Sequence, residues 1–328
     1  MTARAGLLRV GGLACAVVAD RRFGEPPAVW HPVVLFGRAM TAVEARMWAD
    51  RRGPGAAFAA AGVALGGGTG VVLAGRPRRA GGGGAGRWGP RGRAVRRFAV
   101  LIGATYAAVA GRALGQAADD VDAALGRGDL EAARTLLRSL VGRETSGLDE
   151  AEIIRATVES VAENTVDAVT APLLWAFVAA GPGVLAYRAV NTLDAMVGHR
   201  NPRYERFGWA AARIDDAANW IPARVTAALV AMVRPDRRVA VLEAVARQAP
   251  AHPSPNAGVA EAAFAGALGV RLGGVNDYGD RREDRPAMGA GGRPERRHIA
   301  EAVLLSRHVT MALLAAMAGL SLAAGRRR

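Results

Sequence analysis

Residues 56–74 read AAFAAAGVALGGGTGVVLA. The run is uncharged, and at ~1.5 Å per residue a helix of this length crosses the ~30 Å hydrocarbon core of a bilayer. It has no polar face to turn to water, so a soluble Ala-rich helical protein fits it badly. Outward from it lie weaker apolar runs. Leu7–Ala19 is short and interrupted by Arg9, and Phe98–Ala110 is marginal in length. Ala168–Tyr187 carries Pro172 and the turn-like Gly181-Pro182-Gly183, Val225–Val233 is weaker, and Val309–Ala324 precedes Arg326-Arg327-Arg328. Together they predict an all-α, polytopic integral membrane protein. It is expected to form one multi-pass membrane domain over residues 1–328, with polar, partly helical loops carrying the active site. A mean hydropathy of +0.12 is low for a transporter and puts long polar stretches outside the bilayer.

The 43 basic residues are all arginine and stand against 29 acidic ones, a net charge of +14 in 328 residues. Without lysine there is no P-loop lysine for a transferred phosphate and no amine for a Schiff base. Such a basic excess raises nucleic acid first. Aromatics are only 5%, no segment interleaves arginine with stacking rings, and no Cys/His finger spacing occurs, so nucleic acid is not expected as a partner. Cys15 is the one cysteine, which removes an intrachain disulfide, a cysteine zinc site and an iron–sulfur cluster.

Residues 76–97 hold eight arginines, the Gly81–Gly84 run and no acid, and read as a basic, low-complexity linker. The positive-inside rule puts it in the cytoplasm, and the arginine-tipped C-terminus argues for the same side. Counting crossings from there sends residues 115–167 and 188–221, the two densest polar stretches, to opposite faces. The Pro/Gly-interrupted 168–187 segment is therefore a candidate for a re-entrant or protein-buried helix. Arg4 and Arg9 before an apolar stretch mimic a signal peptide, but Asp20 follows at once and opens a motif used below, so cleavage is not expected.

Residues 142–224 hold the densest polar motifs and are the expected main catalytic motif region. They begin GRETSGLDEAEIIRATVESVAENTVDAV. Ser146 with Asp149 three residues on fits a capping box and predicts a helix from about Gly147. Ile154, Val158 and Val161 form its apolar stripe. Arg155, Glu159, Glu163 and Asp167 follow at steps of four, with Asn164 beside them. A solvated face with one Arg–Glu pair explains this alone. However, the stripe runs into an apolar segment, where unpaired carboxylates are costly and usually functional. The next block reads YRAVNTLDAMVGHRNPRYERFGWAAARIDDAANWIPAR. Asn191 and Asp194 share a helix face, as do Asp215 and Asn219, with Asp216 adjacent and Arg213 just ahead. Such oxygens suit a hard cation such as Mg²⁺ that bridges phosphates. A helix-terminal charge cluster is the alternative.

These segments resemble the adenosylcobinamide-phosphate synthase (CobD/CbiB) family of cobalamin biosynthesis. DRRFGEPPAVWHPVVLFGR resembles its early signature through Asp20, Gly24, Pro26, His31 and Pro32. SPNAGVAEAAFAGALGVRLGGVNDYG resembles its Ser-Pro-Asn motif and the Gly-Gly…Tyr-Gly that follows. The resemblance implies a multi-pass enzyme of the cell membrane with a cytoplasmic active site. It would join adenosylcobyric acid, the corrinoid substrate, to aminopropanol or its O-phosphate through an amide bond, with Mg²⁺ and ATP as the driving pair. The chain has no Walker A sequence, so the nucleotide site must be unconventional. On this basis Asp194, Asp215 and Asp216 are metal and phosphate ligands, supported by Asn191 and Asn219. Glu159, Glu163 and Asp167 are catalytic carboxylates, the two glutamates sharing a second metal or deprotonating the incoming ammonium. Arg143, Thr145 and Ser146 would offer a phosphate site on free N–H groups at a helix start. Arg213 and Arg224 would stabilise charge on the activated carboxylate. Asn164 and Asn256 are candidate substrate contacts, Asn256 also shaping a turn. His31 is either a loop histidine, an axial ligand to the corrinoid or a catalytic acid. The lipid bilayer is an expected partner, and association with other late-pathway enzymes is left open. A corrinoid-binding scaffold or transporter without ligase activity is the competing class, although no internal repeat of the transporter kind occurs. Neither the 76–97 linker nor the Arg-rich DRREDRPAMGAGGRPERRH tail is given a catalytic role.

Overall fold

The computed structural model describes residues 2–75, 89–142, 144–199, 201–277 and 282–326. It is helical nearly throughout: α1 (Ala3–Phe23), α2 (Pro32–Met47), α3 (Arg52–Ala74), α4 (Pro90–Tyr106), α5 (Gly111–Gly126), α6 (Leu130–Leu137), α7 (Glu150–Thr165), α8 (Ala171–Val197), α9 (Trp209–Val233), α10 (Arg238–Arg247), α11 (Ala257–Leu268) and α12 (Arg297–Arg326). A π-helical turn, Val166–Thr170, joins α7 to α8. One antiparallel hairpin, β1 (Leu272–Asp277) with β2 (Arg282–Met288), interrupts the helices. Four helical stretches are long and apolar enough to cross a membrane among the described residues: Arg52–Ala74, Arg91–Gly126, Glu150–Val197 and Arg297–Arg326. The chain is thus an all-α polytopic membrane protein carrying a small hairpin, and the run at 56–74 is the body of α3. Val225–Val233 lies in α9, which is not among the four.

The chain divides into two compact units. The first comprises residues 1–110, 171–218 and 314–328, the second residues 111–170 and 219–313. In the first, α3 packs on α8 at very short range because glycines recur on one face of α3. A Cβ added at Gly62 would lie 2.7 Å from Leu193 Cδ1, at Gly66 2.6 Å from Ala189 Cβ, and at Gly70 2.5 Å from Pro182 Cα. Small residues four apart give helices in lipid the close backbone approach that dispersion requires. Gly70→Val sets a branched side chain against backbone, which cannot give way, and is expected to cost about 1–3 kcal/mol. Thermal unfolding in detergent measures it. Below this contact Met40, Phe58, Leu193, Val197 and Phe207 form an apolar core, the Phe58 and Phe207 rings 5.2 Å apart.

The Gly181-Pro182-Gly183 signal is expressed as a break in α8. Ala179 and Ala180 leave helical geometry, Ala180 at φ 54 and ψ −148, a conformation that favours glycine. Pro182 has no N–H to return to the residue four before it, so the backbone deforms there. Ala180→Gly removes the Cβ conflict and is expected to raise stability by about 1 kcal/mol in the same unfolding measurement.

Two boundaries differ from the sequence reading. Residues 90–97 of the expected linker are the first turns of α4, entered through Pro90 at a position where a proline lacks nothing; residues 76–88 lie outside the described residues. The helix expected from Gly147 starts at Glu150, because the cap is Asp149 rather than Ser146. Asp149 Oδ1 accepts the Glu152 N–H at 2.8 Å and Glu152 Oε2 accepts the Asp149 N–H at 3.0 Å, a complete capping box three residues later.

Candidate active site

The second unit contains a cavity of about 800 Å³, walled by the first turns of α7, both strands of the hairpin and the segment leading to α12. That volume is in the range of small-molecule sites, ~300–1,000 Å³. Its walls are charged, with Arg155, Arg271, Arg285 and Arg293 alongside Asp149, Glu152 and Asp284. Two of the arginines are fixed from behind by buried carboxylates. Arg155 Nη1 lies 3.0 Å from Glu159 Oε1, and the same oxygen accepts the Gly273 N–H at 2.9 Å. Arg155 Nη2 also donates to the Val275 carbonyl at 3.1 Å, so one ion pair ties α7 to β1. Arg285 Nη1 lies 3.3 Å from Glu261 Oε1.

Glu261 is 0% exposed in α11, a helix buried along its whole length. A carboxylate there is tolerable only if paired. Its second partner is His252, whose Nε2 lies 3.6 Å from Glu261 Oε1. His252 Nδ1 lies 3.0 Å from the Ser254 N–H and 3.1 Å from the Ser254 carbonyl, so the tautomer decides which of the two it pairs with. Burial holds the His252 imidazole below its ordinary value; the Ser254 backbone raises it, and nearby Arg285 lowers it further. This Arg–Glu–His cluster escaped the sequence reading, which gave the Arg-rich tail no role. The available signal was a single glutamate inside AGVAEAAFAGAL, otherwise wholly small or apolar.

The structure distributes the sequence-predicted residues unevenly. Glu159 is 4% exposed and committed to Arg155 and Gly273, so it does not face solvent as a free base or metal ligand. Glu163, one turn on, is exposed, and Asp167 is half-buried inside the π turn. Such turns widen the helix and recur at functional sites. Asn164 donates to the Ser160 carbonyl and hydroxyl, at 3.0 and 3.1 Å. The phosphate site expected at Thr145 and Ser146 does not form. Both N–H groups donate to Glu144 Oε1, at 2.9 and 3.0 Å, and that bonding holds the Glu144 carboxyl below the usual range. The Thr145 hydroxyl is buried, donating to the Arg134 carbonyl and accepting from Arg138 Nε. Arg143 lies outside the described residues.

Arg224 and Asn256 do come together. Arg224 Nη1 donates to Asn256 Oδ1 at 3.2 Å and Nη2 to the Pro255 carbonyl at 3.4 Å, while the guanidinium stacks 4.2 Å over Trp220. The Ser-Pro-Asn loop is thereby pinned to α9 by a guanidinium whose pKa burial lowers. Asn219, buried, lies one turn before Ala223 on the same helix.

In the first unit, His31 caps α2, Nδ1 accepting the Val33 N–H at 3.2 Å. Burial lowers its pKa, Glu25 opposes this and Arg188 adds to it. Arg188 Nη1 in turn donates to Asn191 Oδ1 at 3.1 Å. The Asp194 carboxylate folds over the end of α8, where a Cβ on Gly198 would fall 1.9 Å from its Oδ1. Asp215 and Asp216 are half-buried on α9, and Arg213 Nη1 lies 3.1 Å from Asp216 Oδ2. Among the described residues no three His, Cys, Asp or Glu side chains converge on a point that would hold a metal.

The CobD/Cbib protein family model matches residues 13–306 of this chain. A protein of Mycobacterium tuberculosis named cobalamin biosynthesis protein CobD is 45% identical over 305 residues, 92% of each chain. Proteins of the same name from Chromobacterium violaceum and Geobacter metallireducens are 41% identical over 293 residues and 42% over 282, covering 89% and 84% of this chain and 90% and 84% of their own. No solved structure matches. On this match, with the quoted motifs in order along the helices, the chain belongs to the CobD/CbiB family of cobalamin biosynthesis.

Proposed function

We propose that the chain is an acid–amine ligase. It joins adenosylcobyric acid to (R)-1-aminopropan-2-ol or its O-phosphate with ATP as the driving reactant, giving adenosylcobinamide or its phosphate. The observation that carries the reading is the family match over residues 13–306, which includes every carboxylate motif quoted above. The residues of α9 fit a Mg²⁺ ion shared with nucleotide phosphates. That ion commonly takes one or two protein carboxylates and keeps water and phosphate oxygens for the rest. Asp215 and Asp216 supply two half-buried carboxylates, and Asn219 supplies a neutral oxygen on the same helix. Asp194 on α8, read with them as a ligand and with Asn191 as a neutral support, does not converge with the α9 pair on one point.

When bound, Mg²⁺ neutralises phosphate charge. The protein's own groups do the remaining work. Glu163, exposed on α7, takes the proton from the incoming ammonium, and Asp167 in the π turn is its acidic neighbour. Arg213 and Arg224 balance charge on the activated carboxylate. Asn164, Asn256 and His31 orient substrate. The cytoplasm and the cell membrane are the proposed setting, consistent with the basic 76–97 segment.

The test is nucleotide turnover by the full chain in detergent. ADP release should require both the corrinoid acid and the amine donor, with neither alone sufficient. Release that is indifferent to the amine contradicts a ligase.

A further inference from the structure

The hairpin cavity holds an asymmetry that the proposed roles do not use. Arg155 and Arg285 are neutralised from behind by Glu159 and Glu261. Arg271 and Arg293 line the same cavity, and both are exposed. They make no ion pair or side-chain hydrogen bond within the described residues. Opposite charge is also present, in Asp149, Glu152 and Asp284. Asp149 and Glu152 are spent on the capping box, whereas Asp284 has no ion-pair partner within the described residues. Two uncommitted guanidiniums and one uncommitted carboxylate in one concavity match a small ligand that carries a phosphate and a cation.

The walls are built to hold that arrangement still. Glu159 clamps α7 to β1 through Gly273, and Glu261 anchors β2 through Arg285. Gly273 and Gly274 take φ of 88 and 113, values that favour glycine, where the strand is irregular between Leu272 and Gly274. A Cβ on Gly274 would meet nothing within 4 Å, so its backbone borders open space in the cavity wall.

We infer that the hairpin cavity is a phosphate-binding site in which Arg271 and Arg293 take the phosphate of a substrate, with Asp284 facing its cationic end. The inference rests on the ligase reading for the identity of that substrate. The phosphate belongs either to the amine donor's O-phosphate, whose ammonium would meet Asp284, or to the nucleotide. Arginine suits the role because its planar fork takes two phosphate oxygens at once.

Direct binding separates the cases without needing turnover. The full chain in detergent is titrated with aminopropanol O-phosphate, with aminopropanol, and with ATP in the presence of Mg²⁺. The same titrations are made on Arg271→Gln, Arg293→Gln and Asp284→Asn. Arg247→Gln, an exposed α10 change away from the cavity, is the control. Each arginine change should weaken one phosphate ligand about ten-fold or more and leave unphosphorylated aminopropanol unchanged. Weakening confined to aminopropanol O-phosphate assigns the amine donor, and weakening confined to ATP assigns the nucleotide. Unchanged affinity for both in both arginine variants, with melting temperatures equal to the parent's, overturns the site. Phosphate binding that survives in a chain unable to make amide would leave the site standing and the ligase reading fallen.

Discussion

Glu261→Ala is expected to destabilise the protein by about 3–5 kcal/mol, a larger loss than that of Gly70→Val in α3. Glu261 is 0% exposed and accepts from Arg285 at 3.3 Å, with the His252 ring 3.6 Å away. Removing it takes away an acid 3.3 Å from a guanidinium whose side chain is only 17% exposed, while Glu283 stays 3.9 Å away. The cost comes from weakening the compensation of a buried cation, since the net worth of a buried pair is small. The signature is therefore non-additivity. Glu261→Leu combined with Arg285→Met should lose less than Glu261→Leu alone, because both charges leave together. Thermal unfolding of the three variants in one detergent reads this directly. A double variant that loses the sum of the two single effects would show that the pair is not a buried unit.

Asp215→Asn is expected to lower ligation by about 10³-fold or more while the protein still inserts and folds. The change keeps volume and hydrogen bonding but removes the negative charge proposed to hold Mg²⁺. Asp215 and Asp216 sit between Ile214 and Ala217, half-buried on a helix that is not among the four membrane-spanning candidates. Two adjacent carboxylates between apolar neighbours repel each other, and the Arg213 pair balances the charge of Asp216. The loss should appear in kcat and in the nucleotide KM, and raised Mg²⁺ should recover part of it. Glu163→Gln should instead depress kcat with nucleotide affinity preserved, because its proposed role is in proton transfer. Full activity in both variants would remove the carboxylates from the mechanism.

The membrane helices were legible because their signal is local: nineteen uncharged residues at 56–74 leave a helix nowhere to put a polar face. The break at Ala179–Ala180 was equally local, written as Gly-Pro-Gly. The capping box slipped by three residues because Ser146 and Asp149 both satisfy the pattern. Only the fold shows that the N–H groups beside Ser146 already serve Glu144. The hairpin was not legible at all. Its strands are rich in glycine and arginine and lack the alternation that marks a half-buried strand. What holds it in place is Glu159, 114 residues away from Gly273 along the chain, and no short-range pattern encodes such a pairing. For the same reason Glu159, read as a catalytic carboxylate, turned out to be engaged with an arginine and a backbone amide. The arginines of the tail carried no role in the sequence, whereas the fold sets Arg285 against Glu261 and Arg293 in the cavity wall.

Amide formation at the expense of ATP is measured by supplying adenosylcobyric acid, aminopropanol O-phosphate and Mg²⁺-ATP to the purified chain in detergent and following the corrinoid product by mass spectrometry. Adenosylcobinamide phosphate is expected, formed only when ATP is present and matched by ADP. Corrinoid that binds but stays unchanged, with ATP unconsumed, would show that the chain is not a ligase.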